Sequence, residues 1–125
     1  MKSKLILLLT VLTLISCSKS EETVDEIVGL WKLKSIKVSG QERINSCKLK
    51  DNVDIRSNNT FTIFIHQDSF SCTEQSSTGT WSKISDGKYE FKAAGDTRTF
   101  TLTNKVLSFS VSAGTSTYVH SYSKE

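Results

Sequence analysis

From Val28 onward the chain is written as short runs of alternating apolar and polar residues, broken at near-regular intervals by turn-forming residues, a pattern that few folds accept. The punctuation comes from Asn58-Asn59, Asp86-Gly87, Ala94-Gly95-Asp96, Asn104-Lys105 and Ser112-Ala113-Gly114. Asn, Asp and Gly tolerate the positive φ of the tight turns that join antiparallel strands. Between these breaks, Val53 and Ile55, then Phe61, Ile63 and Ile65, then Tyr89, Phe91 and Ala93 recur at every second position. Phe100 and Leu102 do the same, as do Leu107, Phe109 and Val111, so each run has one apolar face. A strand carrying Trp31 precedes them, one beginning at Gly79 carries Trp81, and a last one runs from about Thr115 to Ser123. The result is eight antiparallel strands in chain order, which makes an up-and-down barrel or a sandwich. With 125 residues there is material for one core only.

The first strand and the two longest connections organise the rest. In Gly29-Leu30-Trp31-Lys32-Leu33, the residues Trp31 and Leu33 share a face, but Ile36 and Val38 have the opposite parity, which predicts a bulge near Lys34-Ser35. The acidic lead-in from Ser20 to Ile27 suits one or two helical turns. Two long polar connections, 40–50 and 67–78, each contain a cysteine, Cys47 and Cys72. In a meander the first and third connections lie at the same end, so both cysteines reach one rim, and an exported chain would oxidise them to a disulfide. The competing reading is a metal site from Cys47, His66, Cys72 and His120, which lacks any close ligand spacing. At the opposite rim, closure of the barrel pairs the first and last strands and brings Tyr122 and Lys124 toward Trp31.

The N-terminus follows different rules. Met1 to Lys4 is basic, Leu5 to Ile15 is apolar and too short to span a bilayer, and Leu14-Ile15-Ser16-Cys17 resembles the lipobox of bacterial lipoproteins. That resemblance implies a signal peptide over 1–16, acylation of Cys17, a lipidated tether over 17–26 and a domain over 27–125. Against 13 acidic residues stand 16 basic ones, and cleavage would take Lys2 and Lys4 from the 16, lowering the net charge from +3 to +1. No basic cluster remains for a nucleic-acid backbone, and membrane attachment is expected through acyl chains. Ser18-Lys19-Ser20-Glu21-Glu22 resembles the export signal of surface-exposed Bacteroidota lipoproteins, with Ser20 interposed; a plain solvated tether is the alternative. The expected location is the cell envelope, as an outer-membrane lipoprotein facing either the periplasm or the cell surface.

Gly29-Leu30-Trp31 also matches the G-x-W signature of lipocalins, and Gly79-Thr80-Trp81-Ser82 is similar to a second G-T-W element in lipocalin-like lipoproteins of Bacteroidota. The resemblance covers about residues 27 to 123 and implies an all-β, eight-stranded antiparallel up-and-down (lipocalin-like) barrel with a short N-terminal helical turn. Gly29, Trp31 and Lys124 are its motif positions, Lys124 standing where lipocalins carry an arginine; no T-D-Y element is present. Such a barrel is filled by its own side chains or holds one small ligand. Phe91, Phe109, Tyr118 and His120 are the residues expected to meet a small hydrophobic ligand, and the alternative is a filled barrel serving as a structural or interaction module. No nucleophile elbow, phosphate loop or placed acid-base pair appears, so no enzyme, cofactor or resident metal is expected. A monomer is expected.

Overall fold

The computed structural model describes residues 23–125, so Cys17, the signal segment 1–16 and the run 18–22 lie outside the described residues. Within them the alternation becomes nine antiparallel strands: β1 (Gly29–Val38), β2 (Gln41–Glu42), β3 (Asn52–Ile55), β4 (Thr60–His66), β5 (Glu74–Ser85), β6 (Lys88–Ala93), β7 (Asp96–Thr103), β8 (Val106–Ala113) and β9 (Ser116–Lys124). Strands β1 and β3 to β9 neighbour one another in order and β9 returns to pair with β1, closing an eight-stranded up-and-down barrel; β2 is a small hairpin on β1. The turns have the predicted chemistry. Ala94 and Gly95 (φ 50° and 78°) and Asn104 and Lys105 (φ 50° and 64°) take the left-handed conformation in consecutive pairs, as primed hairpin turns require.

Residues directly opposite each other in an antiparallel ladder point to the same face, so the register identifies the interior. Leu33 faces Tyr122, Tyr122 faces Leu107, and Leu107 faces Leu102, which carries one apolar layer across four strands. Tyr89 faces Phe100 and Phe91 faces Trp81 in the same way. The bulge in β1 keeps this layering intact: the register slips between Leu33 and Ser35, so Leu33 and Ile36 both enter the core despite their opposite parity.

One pole of the barrel is plugged. Ile27 is fully buried and Trp31 nearly so, and the indole N–H donates to the Ile27 carbonyl oxygen at 2.7 Å. Lys124, opposite Trp31 in the β1–β9 ladder, sets its ammonium 5.6 Å from the indole ring and donates to the Glu26 carbonyl at 2.8 Å. Gly29 is needed for this closure. Its φ of +143° suits glycine, and a Cβ there would sit 2.5 Å from Lys124 Cε. Asp25 fastens the lead-in, accepting from the Tyr89 hydroxyl at 2.6 Å and the Ile27 amide at 3.1 Å, with Lys83 Nζ 3.6 Å away. Burial alone would raise the Asp25 pKa, but the Tyr89 hydroxyl, the Ile27 amide and Lys83 outweigh it and hold the carboxyl below its usual value.

The structure departs from the sequence expectations in three places. Among the described residues the lead-in forms one hydrogen-bonded turn, Val28 N–H to the Asp25 carbonyl, where one or two helical turns were expected over Ser20 to Ile27; the short helical piece among them is a 3-10 turn at Lys48–Lys50. Strand β5 starts at Glu74 instead of Gly79, because Glu74 to Thr78 pair with β4 as an all-polar extension that has no apolar alternation to announce it. His66 is buried although its parity puts it opposite Phe61 and Ile63, because the segment holding the 3-10 turn covers the outer face there.

Replacing Trp31 with Ala removes a fully packed ring and its hydrogen bond, and should cost about 3 to 5 kcal/mol. Urea unfolding followed through Trp81 fluorescence measures this, and a Trp31→Ala protein as stable as the parent would contradict the plug.

Candidate functional site

The other pole is open. A cavity of about 250 Å³ enters the barrel between the ends of β4 and β5 and the β6–β7 hairpin. Its walls are apolar, built from Val53, Phe61, Ile63, Phe91, Phe100 and Phe109, with Ile65 at the lip; Ser77, Asp96 and Arg98 are the polar residues along it. The register explains the lining, since Val53 faces Ile63, Ile63 faces Ser77, and Phe91 faces Arg98. The four phenylalanines form a chain of edge and tilted contacts: Phe61 to Phe91 at 4.8 Å, Phe91 to Phe100 at 4.4 Å and Phe100 to Phe109 at 4.8 Å between ring centroids.

The cavity exists because the wall parts beside it. Strands β7 and β8 are both eight residues long, yet only Thr101 to Thr103 pair with Val106 to Ser108. Beyond that point β7 stays with β6 to Asp96 and β8 stays with β9 to Ala113, so the two hairpins diverge toward the open pole. Phe100, Phe109 and Arg98 occupy the divergence with side chains in place of backbone ladder. The Arg98 guanidinium lies 5.1 Å from the Phe109 ring, and its Nε donates to Asp96 Oδ2 at 3.0 Å.

The rim beside the mouth is fastened twice. Cys47 and Cys72 form a disulfide with Cα atoms 5.7 Å apart, tying the β2–β3 connection to the β4–β5 loop. Both sulfurs are thereby consumed, which removes the four-residue metal arrangement. His66 adds a polar latch: its Nδ1 is 3.1 Å from Asp51 Oδ1, its Nε2 is 3.2 Å from Glu74 Oε2, and its backbone N–H donates to Asp51 Oδ1 at 2.6 Å.

Of the residues expected to meet a ligand, Phe91 and Phe109 line the cavity. His120 lies one layer back, its ring stacked on Phe109 at 4.6 Å with an interplanar angle of 6°. Tyr118 faces inward opposite Val38 and Val111 but is not part of the wall. Arg98 and Asp96 did not figure among the expected residues. They share the parity of Phe100 and Leu102, so a charged pair at inward positions was the signal that identifies them.

His120 Nδ1 is buried without a hydrogen-bond partner among the described residues. Burial, and next the positive charge of Arg98, hold the imidazole below the ordinary histidine range. A depressed folded-state pKa means that the unfolded chain takes the proton first as pH falls through about 6.5, so stability is present above that pH and is lost below it. His120→Phe should therefore be at least as stable as the parent at pH 7.5 and lose less stability between pH 7 and pH 5.5. Denaturant midpoints at these pH values measure it, and parallel losses in both proteins would contradict the assignment.

A family model described as a lipocalin-like domain matches residues 27–109, from the buried lead-in residue Ile27 to Phe109 in the cavity wall. No match was found among curated proteins or among solved structures. The matched span contains the G-x-W strand, Ile27 and Trp31 of the plugged pole and the whole cavity wall, and the chain belongs to the lipocalin-like domain family.

Proposed function

We propose that this protein is a lipid-anchored, non-enzymatic binding protein of the cell envelope that holds a small hydrophobic ligand in the open pole of its barrel. The observation that carries the reading is the apolar cavity of about 250 Å³ walled by Phe61, Phe91, Phe100 and Phe109. A barrel filled entirely by its own side chains, the structural-module alternative, would have no such space. The size lies between an engineered cavity of about 150 Å³ that takes benzene and the roughly 300 Å³ at which pockets for drug-sized molecules begin.

The anchoring half rests on the lipobox-like Leu14-Ile15-Ser16-Cys17, which resembles the sequence of acylated bacterial lipoproteins, here of the Bacteroidota type. Acylation at Cys17 would leave a tether that meets the barrel at Asp25 and Ile27, on the plugged pole, the end opposite the mouth. An outer-membrane lipoprotein of either leaflet orientation fits this arrangement, and no second protein is required.

Ser77 faces the cavity from β5 and makes no side-chain hydrogen bond among the described residues, so Ser77→Phe adds a ring to the void with little else changed. Native mass spectrometry of the purified parent should show a co-purifying small apolar molecule that Ser77→Phe lacks, whereas two identical ligand-free proteins would favour the filled-module reading. Labelling of producing cells with an alkyne fatty acid should mark the parent and not Cys17→Ser, and equal labelling of both would remove the anchor.

A further inference from the structure

Among the residues of the cavity wall, Arg98 is the one cation, and its setting is selective. It projects from β7 at an inward position opposite Phe91, with its side chain 48% exposed at the mouth. Asp96 engages the guanidinium from behind through Nε, at 3.0 Å. Among the described residues no hydrogen bond is made by the terminal nitrogens of Arg98, so the two-nitrogen edge that grips a carboxylate remains open. The Phe109 ring, with its centroid 5.1 Å from the guanidinium carbon, gives the group an aromatic neighbour that favours its charge. A body entering the cavity thus passes a planar cation before it meets four phenylalanine rings.

Resting on the cavity-binding reading above, we propose that the ligand is a small aromatic monocarboxylate, with its ring among Phe61, Phe91, Phe100 and Phe109 and its carboxylate on the open edge of Arg98. Three observations select this class. The polar part of the wall is confined to Ser77, Asp96 and Arg98, so one charged head and an otherwise apolar body match it. Asp96 stands beside Arg98 and would repel a second negative charge, which disfavours dianionic heads such as phosphate monoesters. A volume of about 250 Å³ suits a bicyclic ring better than a long acyl chain, and the tilted phenyl walls reward a flat π-face over a flexible chain.

Isothermal titration calorimetry of the purified protein with 2-naphthoate, 2-naphthalenemethanol and decanoate tests the proposal at neutral pH. The naphthoate should bind at least about tenfold more tightly than the alcohol, the margin expected of a charge-assisted bidentate contact. Arg98→Gln should erase that margin and leave the affinity for the alcohol unchanged. Asp96→Asn, which frees the back of the guanidinium without removing its charge, should keep a preference for the acid. Equal affinity for acid and alcohol in the parent, a margin that survives Arg98→Gln, or decanoate binding more tightly than naphthoate would each overturn the ligand class. If the alcohol binds and the acid gains nothing, the cavity reading stands alone; if none of the three binds, both readings fall.

Discussion

The contact between the first and last strands, closed over Trp31, is the constraint on which the rest of the molecule depends. An eight-stranded sheet left open would expose two unpaired edges, and pairing β1 with β9 removes both. The closure requires Lys124 to cross the start of β1, which in turn requires glycine at 29, and the ammonium then covers the indole and caps the Glu26 carbonyl. Ile27 completes the seal from the lead-in side by accepting the indole N–H. Sequence-distant residues therefore meet at one pole, where Ile27 and Trp31 are buried and a recess of about 220 Å³ lies among Glu26, Trp31, Leu102, Lys105 and Lys124, while the phenylalanine-walled cavity opens at the other pole.

What happens at the open pole follows from how the wall is shared. Trp31, Tyr89, Leu33 and Leu107 are among the most deeply buried side chains and lie away from the cavity wall. Above them the β6–β7 and β8–β9 hairpins separate, and rings replace the ladder. A wall made of side chains is easier to part than one made of backbone hydrogen bonds, so the same divergence that creates the void also supplies a way into it. The disulfide and the His66 latch act on the opposite side of the mouth, where they hold the two longest loops in place. One side of the rim is thus covalently fixed while the other carries Arg98.

Much of this was legible in the residues themselves. Period-two alternation marked the strands, and the irregular parity between Leu33 and Ile36 marked the bulge. Chain-order parity of the loops brought Cys47 to Cys72, which the structure joins. The parts that were not legible share a physical cause: they depend on what covers a position, not on its own character. The extension of β5 over Glu74 to Thr78 is polar on both faces, one meeting solvent and the other presenting Ser77 to the cavity, so no pattern distinguishes it from a loop. His66 looks like an outward residue and is buried by the Lys48 to Asp51 segment, which lies 15 to 18 positions earlier in the chain. Arg98 was readable from its parity with Phe100, but a charge on an inner face acquires meaning only once a mouth is known to lie beside it.

The central claim is that the core is packed beneath Trp31 and holds an apolar void at the Arg98 pole. Crystals of the protein pressurised with xenon test it most directly, because xenon enters dry apolar cavities and leaves packed cores alone. The account predicts xenon among Phe61, Phe91, Phe100 and Phe109 and none beneath Trp31. A barrel without xenon between those phenylalanines, or with xenon lodged under the Trp31 indole, would contradict it.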